Sequence, residues 1–408
     1  MSCFRIFEGT MESLINKYRS LLSQIESKFV RKLANEINWE ARAVCIEGAR
    51  GTGKSTLMLQ HIKENLPLDE TLYLSADDLY FKQHTLTEVA ERFYQQGGRY
   101  LFLDEVHKYT DWQREVKNLY DFYPKLRLAV SGSSIIALQR SEADLSRRLL
   151  RYHLPELSLR EFVSLKDAVE LPVFTLVDVL ESHSQLVDEL KGKLQSPLKS
   201  FQEYITFGAY PFFLEGQADY LTRLNQLINV IIDYDLPEAK SIEPGTQAKL
   251  KKLLYILSTA VPFTPNITRL AEQVGTSRSR LLEMLNLLEK AQLIFNLRSA
   301  SFGISLMNKP EKVFLHNTSL IMALANGQPN KGNLRETFFY TQLVGAGHRI
   351  TYPKRGDFLI DNRYTVEVGG KSKGAKQIAA SDDSYLAIDD IEYGTARRIP
   401  LWLFGFLY

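Results

Sequence analysis

The stretch that most constrains this chain is residues 43–62. Ala43-Val44-Cys45-Ile46 is a short apolar run of strand type. Gly48-Ala49-Arg50-Gly51-Thr52-Gly53-Lys54-Ser55-Thr56 follows it, and Leu57, Met58, His61 and Ile62 then recur at helical spacing. A strand, the pattern G-x-x-x-x-G-K-S and a helix together make a phosphate-binding loop in its required context. The glycines let successive backbone N–H groups converge on the β- and γ-phosphates of a nucleotide, where side chains would block the approach. Lys54 brings a point charge to those phosphates, and the Ser55 hydroxyl is a candidate Mg²⁺ ligand. The fold class that follows is α/β, a parallel sheet with helices between its strands.

Two further stretches fit the same sheet. Tyr100-Leu101-Phe102-Leu103-Asp104-Glu105 is an apolar strand ending in two carboxylates, as a buried parallel strand would. Asp104 suits Mg²⁺ and Glu105 suits activation of an attacking water. Thr71-Leu72-Tyr73-Leu74 reads as another strand, with Asp77 and Asp78 beyond it. Leu126-Arg127-Leu128-Ala129-Val130 runs into Ser131-Gly132-Ser133-Ser134, where a hydroxyl of Ser131 or Ser133 can sense a γ-phosphate or else cap the helix beginning at Ile135.

At these residues the chain resembles the AAA-type ATPases. More narrowly, it resembles a prokaryotic group that joins such a module to a winged helix and a C-terminal nuclease-like domain. The resemblance rests on the loop, on Leu103-Asp104-Glu105-Val106-His107-Lys108 followed by Trp112, and on Ser131-Gly132-Ser133-Ser134. It continues through Ala143-Asp144-Leu145-Ser146-Arg147-Arg148 and Leu157-Ser158-Leu159-Arg160-Glu161-Phe162. It implies ATP and Mg²⁺ as cofactors. Arg147 and Arg148 are candidates for an arginine finger, with Arg148 favoured by its spacing to Leu157-Ser158; pairing with Glu142 or Asp144 is the alternative. A finger acting in trans would require a homo-oligomer.

Composition narrows the setting. In 408 residues, 50 Lys/Arg against 48 Asp/Glu leave a net charge of +2, so a surface that is wholly a polyanion-binding field is excluded while a local basic patch is not. Cys3 and Cys45 are the two cysteines, too far apart for a zinc knuckle and too few for a disulfide framework. No apolar run approaches 18 residues, and the start at Met1 lacks a signal-peptide pattern. A cytoplasmic protein that does not enter membranes is the expectation.

From about residue 162 to 242 apolar residues recur at three-to-four spacing, a scaffold with no catalytic set in it. Next come a helix around Leu250–Leu257, a second at 267–274, a turn at Gly275 and a third helix from Ser277, with Ile294-Phe295-Asn296-Leu297 as a wing strand. This is a winged helix-turn-helix. Between Thr246 and Lys312 ten Lys/Arg face four acids, the one strongly basic block in the chain. Ser277, Arg278 and Arg280 stand where a recognition helix would meet DNA; a protein contact or a spacer is the other reading.

Asn333-Leu334-Arg335-Glu336 opens a later helix, followed by a hairpin of Asp357-Phe358-Leu359-Ile360 and Tyr364-Thr365-Val366-Glu367-Val368. A turn centred on Asn362 sets Asp357 opposite Glu367, two acids that a shared divalent cation would reconcile. With Glu336 and Gln377 this resembles the restriction-endonuclease-like fold, and Glu336, Asp357 and Glu367 become a candidate metal site. One departure stands out: the lysine expected two residues after Glu367 is Gly369, so Lys371, Lys373 or Lys376 would have to reach back. A degenerate binding domain and an active metal nuclease are both open.

The organisation expected is therefore a helical segment at 1–30, an AAA-type domain at 31–165, a helical region at 166–245, a winged helix at 246–325 and the nuclease-like domain at 326–408. The function expected is a Mg²⁺-dependent ATPase acting on DNA. The alternatives are a nucleotide-gated switch or adaptor for a protein partner, or a nuclease.

Overall fold

The computed structural model describes residues 11–133, 145–243, 245–259, 265–299, 309–325, 329–374 and 383–408. Cys3, Ser134, the cap before Ile135, Glu142, Asp144, Lys376 and Gln377 lie outside them. The chain forms two compact units, Met1–Pro155 and Glu156–Tyr408.

The first unit is built on five parallel strands: β1 (Ala43–Gly48), β2 (Thr71–Ser75), β3 (Tyr100–Asp104), β4 (Arg127–Ser133) and β5 (Leu150–His153). Their order is β2-β3-β4-β1-β5. Strands β1 to β4 are buried on nearly every residue, which is why they read as continuous apolar runs rather than alternating ones. Among the described residues its α-helices are α1 (Glu12–Gln24), α2 (Lys54–Asn65), α3 (Leu86–Gln95) and α4 (Trp112–Phe122). Helix α3 begins at a reciprocal cap, Thr85 with Glu88, and α4 buries Trp112, Val116 and Leu119. Because β4 lies between β1 and β3, the phosphate loop, the Asp104-Glu105 pair and the Ser131–Ser133 end all emerge side by side at the carboxyl edge of the sheet. That edge is where parallel sheets bind ligands.

The second unit starts with a cap of the same kind. Ser158 accepts from the Glu161 N–H and Glu161 reaches back to the Ser158 N–H, so the Ser-x-x-Glu of the sequence is a helix start. It opens α5 (Leu159–Asp167), followed by α6 (Leu176–Leu190), α7 (Pro197–Phe207), α8 (Tyr220–Val230) and, after one π turn, α9 (Leu236–Ala239). Helix α5 packs with α7 and with the C-terminal residues.

Helices α10 (Thr246–Thr259), α11 (Ile267–Val274) and α12 (Arg278–Lys290) precede an antiparallel pair, β6 (Ile294–Leu297) with β7 (Lys312–Leu315). Gly275 ends α11 at φ 79°, a left-handed position open to glycine, and the Ser277 hydroxyl caps α12 by accepting from the Arg280 N–H.

After α13 (Thr318–Leu324) and α14 (Lys331–Gly345) comes a sheet of β8 (Ile350–Thr351), β9 (Phe358–Ile360), β10 (Tyr364–Gly369), β11 (Ser384–Ile388) and β12 (Arg398–Pro400) in sequential order. β8, β9 and β10 are antiparallel; β10, β11 and β12 run parallel. The β9–β10 register pairs Ile360 with Tyr364 and Phe358 with Val366, so the turn does centre on Asn362. Asp361 and Asn362 are both left-handed there, the twist a tight hairpin requires.

Candidate nucleotide site and the acid–lysine cluster

The phosphate loop is held open by backbone geometry. Gly51 (φ 85°) and Gly53 (φ 95°) sit in the left-handed region, and a Cβ on Gly48 would come within 2.3 Å of the Leu154 carbonyl oxygen. Thr52 is fully buried and donates to the Ala49 carbonyl at 2.9 Å. The Lys54 ammonium, also buried, donates to the Gly48 and Ala49 carbonyls at 3.1 and 2.9 Å, which keeps it folded over the loop. Arg50 and Thr56 lie at the loop's rim, half-buried and exposed. Buried Arg31 clasps the loop from behind, donating to the Thr52 carbonyl at 2.8 Å and to the Pro155 carbonyl at 2.7 Å.

Across the edge, Asp104 is buried and accepts three hydrogen bonds. Its Oδ1 accepts from the Ser131 hydroxyl and, at 2.9 Å, from the Glu105 N–H; its Oδ2 accepts from the Tyr73 hydroxyl. Tyr73, Asp104 and Ser131 thus form one hydrogen-bonded chain.

Glu105 is a left-handed non-glycine residue (φ 52°, ψ 34°), a strained conformation that turns its carboxylate off the strand line. Burial, and after it the neighbouring Asp104, push its carboxyl above the usual range, while Lys54 and Arg50 pull the other way. Its Oε2 lies 3.4 Å from His107 Nε2, and His107 Nδ1 faces the Ser133 N–H. The Ser133 hydroxyl is buried with no hydrogen-bond partner among the described residues.

These residues fit a nucleotide and a divalent cation: a glycine where a Cβ would clash, a buried lysine, the Ser55 hydroxyl in the first turn of α2 and the buried carboxylate of Asp104. Residues 40–163 match the family of the AAA domain. Residues 198–331 match a second family, a domain of unknown function (DUF8612). An uncharacterized protein of Methanocaldococcus jannaschii is 25% identical over 392 residues, covering 89% of this chain and 82% of its own. Among solved structures, the Saccharomyces cerevisiae Hsp104–ADP complex shares 17% identity at a TM-score of 0.27, covering 70% of this chain and 38% of that one. A katanin self-assembly structure gives 17%, 0.29, 60% and 85%, and Caenorhabditis elegans PCH-2 gives 12%, 0.23, 38% and 46%. The chain thus spans less than half the length of PCH-2 or Hsp104. Scores this low carry no argument; the AAA-type module rests on the family match and on the five-stranded parallel sheet.

Arg148 is committed elsewhere in the first unit. Its Nε and Nη2 donate to the two carboxylate oxygens of Asp121, both at 2.9 Å, while Arg147 is exposed. Of the candidate DNA contacts, Ser277 is spent on its cap, Arg280 pairs with Glu243 and Arg278 is exposed. Among the described residues no helix is long and apolar enough to cross a membrane.

In the second unit Glu336, Asp357 and Glu367 do converge, but lysines stand between them. Lys312 of β7 lies 2.7 Å from Glu336 and 3.1 Å from Asp357; Lys373 lies 2.9 Å from Glu367 and 3.4 Å from Asp357. A Cβ on Gly369 would sit 2.1 Å from Lys373 Cδ, so the missing side chain at 369 leaves room for Lys373 to reach back. Two ammoniums carry the charge of one divalent cation, and no metal-ligating group of three such side chains occurs among the described residues. Burial raises the Glu336 carboxyl despite Lys312 beside it. Burial alone would lower the Lys312 ammonium, but Glu336 and then Asp357 hold it above its ordinary value. Sequence reasoning missed Tyr73, Arg31 and Lys312. The only hints were a phenol inside a buried strand and a lysine opening an apolar one.

Proposed function

We propose that the chain is an ATP-binding, Mg²⁺-dependent AAA-type ATPase whose nucleotide state controls the winged helix and the C-terminal sheet. The observation that carries this is the open phosphate loop with its buried Lys54, set at the same sheet edge as the buried Asp104 and Glu105. The loop N–H groups and Lys54 hold the phosphates, Ser55 and Asp104 hold Mg²⁺, and Glu105 orients and deprotonates the attacking water. Mg²⁺, when bound, neutralises charge developing on the transferred phosphoryl group. The Ser133 hydroxyl, without a hydrogen-bond partner among the described residues, and the Ser131 hydroxyl suit a sensor for the terminal phosphate. Duplex DNA is the expected partner of Ser277, Arg278 and Arg280, in the cytoplasm and in a homo-oligomer if Arg148 leaves Asp121 to act on a neighbour.

The test is steady-state ATP hydrolysis with Mg²⁺, with and without duplex DNA. Lys54→Ala should lose ATP binding, and Glu105→Gln should bind ATP but turn over at least about 100-fold more slowly. Wild-type protein that binds no ATP–Mg²⁺ would sink the reading.

The Arg148–Asp121 pair favours a second reading, a nucleotide-gated adaptor with little turnover. Rapid hydrolysis lost in Glu105→Gln would exclude it. For the C-terminal sheet, the Lys312 and Lys373 bridges favour a binding domain over a metal nuclease. Cleavage of linear, branched or single-stranded DNA with Mn²⁺, lost in Asp357→Ala, would reverse that choice.

A further inference from the structure

The glycines that open the phosphate loop also leave it unlatched. The peptide between Thr52 and Gly53 turns over through ψ of the one and φ of the other, and a glycine accepts either sign of φ at little cost. Gly53 stands at φ 95°. A trans peptide points its carbonyl and its N–H in opposite directions, so whatever fixes the Thr52 carbonyl also aims the Gly53 N–H. The group that fixes it comes from 21 positions upstream: Arg31 donates from Nη1 to the Thr52 carbonyl at 2.8 Å.

Arg31 is well anchored for the task. It is 5% exposed, and its Nη2 donates to the Pro155 carbonyl at 2.7 Å, so one planar fork bridges two carbonyls at once. Its own carbonyl accepts from the Ala34 N–H at 3.0 Å, at the start of the 3-10 turn Lys32–Asn35. Just ahead of it, the Gln60 side-chain amide of α2 donates to the Glu26 and Phe29 carbonyls, both at 2.8 Å. The helix that follows the loop thus holds the segment that latches the loop. We infer that Arg31 is a positioning residue for the nucleotide phosphates: by keeping the Thr52 carbonyl turned to itself, it keeps the Gly53 N–H turned to the side where phosphate binds. A peptide turned over would present a carbonyl oxygen to an anion instead. The inference rests on the ATP-binding reading above, and adds a residue outside the glycine-rich motif on which phosphate affinity depends. Because the effect is on the loop and not on the metal ligands, it bears on ADP as well as ATP and needs no Mg²⁺.

The test uses the full chain labelled with ¹⁵N-glycine and titrated with ADP in EDTA. In the wild type the Gly53 amide resonance should move downfield as ADP binds, a readout that needs no variant to fold. In Arg31→Lys, which keeps the charge and loses the fork, that shift should shrink and the ADP Kd should rise about 10-fold. Arg31→Met should weaken ADP further. A matched control separates aiming the loop from merely stabilising the unit: Leu119→Ala opens a cavity under α4, where Leu119 is buried, and should leave the ADP Kd within about 2-fold of wild type. A Gly53 resonance that bound ADP does not move, an ADP Kd unchanged in Arg31→Lys and Arg31→Met, or an equal weakening in Leu119→Ala would each overturn the role of Arg31 while leaving the ATPase reading in place. A wild type that binds neither ADP nor ATP–Mg²⁺ would overturn both.

Discussion

Lys312→Met keeps the length and apolar stem of the side chain and removes one ammonium. In the wild type that ammonium, on a side chain only 9% exposed, serves both Glu336 and Asp357. Asp357 retains Lys373 and the Val368 N–H at 3.0 Å. The cost therefore falls on Glu336, whose side chain is 11% exposed and loses the cation beside it. Stranding a buried charge by removing its partner costs about 3–5 kcal/mol, unless the group takes up a proton. The Glu336 carboxyl is already raised in the folded chain, and loss of Lys312 raises it further. A carboxyl whose folded pKa exceeds its unfolded value favours folding below the unfolded pKa, and that advantage is lost as pH climbs through the folded pKa. The variant's deficit should thus be small near pH 5 and about 3 kcal/mol at pH 8, growing by no more than about 1.4 kcal/mol per pH unit for one proton. Trp402 is the tryptophan of the second unit, so urea unfolding followed by ¹⁹F resonances of fluorotryptophan reports that unit separately from Trp39 and Trp112. Lys312→Met/Glu336→Gln should recover most of the loss. A deficit below about 0.5 kcal/mol, or one that is flat in pH, would refute the reasoning.

Three further outcomes are expected. The acid limb of the pH–rate profile for ATP hydrolysis should lie above the ordinary glutamate range, because Glu105 must be ionised to act as a base and burial raises its carboxyl; a limb at the ordinary position would argue against that role. Gly48→Ala should abolish ATP binding in an equilibrium assay, since its methyl cannot coexist with the Leu154 carbonyl 2.3 Å away. Arg31→Met should cost about 3 kcal/mol in urea unfolding of the first unit by leaving the Thr52 and Pro155 carbonyls without their charged donor, and a loss under about 1 kcal/mol would mean that other groups or water replace it.

The nucleotide half of the molecule was legible because its chemistry is local. A loop that must present N–H groups to phosphate needs glycine at set positions, and a strand buried on both faces needs an apolar run, so residues 43–62 and 100–105 declare themselves one after another. The β9–β10 register was legible for the same reason: a tight turn at Asn362 fixes every pair behind it. Partnerships between distant residues were not. Lys312 stands 24 positions before Glu336 and 45 before Asp357, and an isolated lysine at the start of Val313-Phe314-Leu315 reads as a strand end on the surface. Tyr73 reads as core, because a strand pattern reports burial and not where a hydroxyl points. Asp357 and Glu367 both pair with Lys373, a lysine that spacing allowed and did not select.

The last residues of the first unit are held fast within it. Leu154 donates to the Glu47 carbonyl at 2.7 Å and the Pro155 carbonyl is gripped by Arg31. The very next residue, Glu156, is fully buried in its own unit, paired with His316 at 2.6 Å and Asn317 at 3.1 Å. One guanidinium, that of Arg31, therefore holds both the back of the phosphate loop and the last residue of the first unit, so the Thr52 carbonyl cannot leave its place without loosening the hold on Pro155.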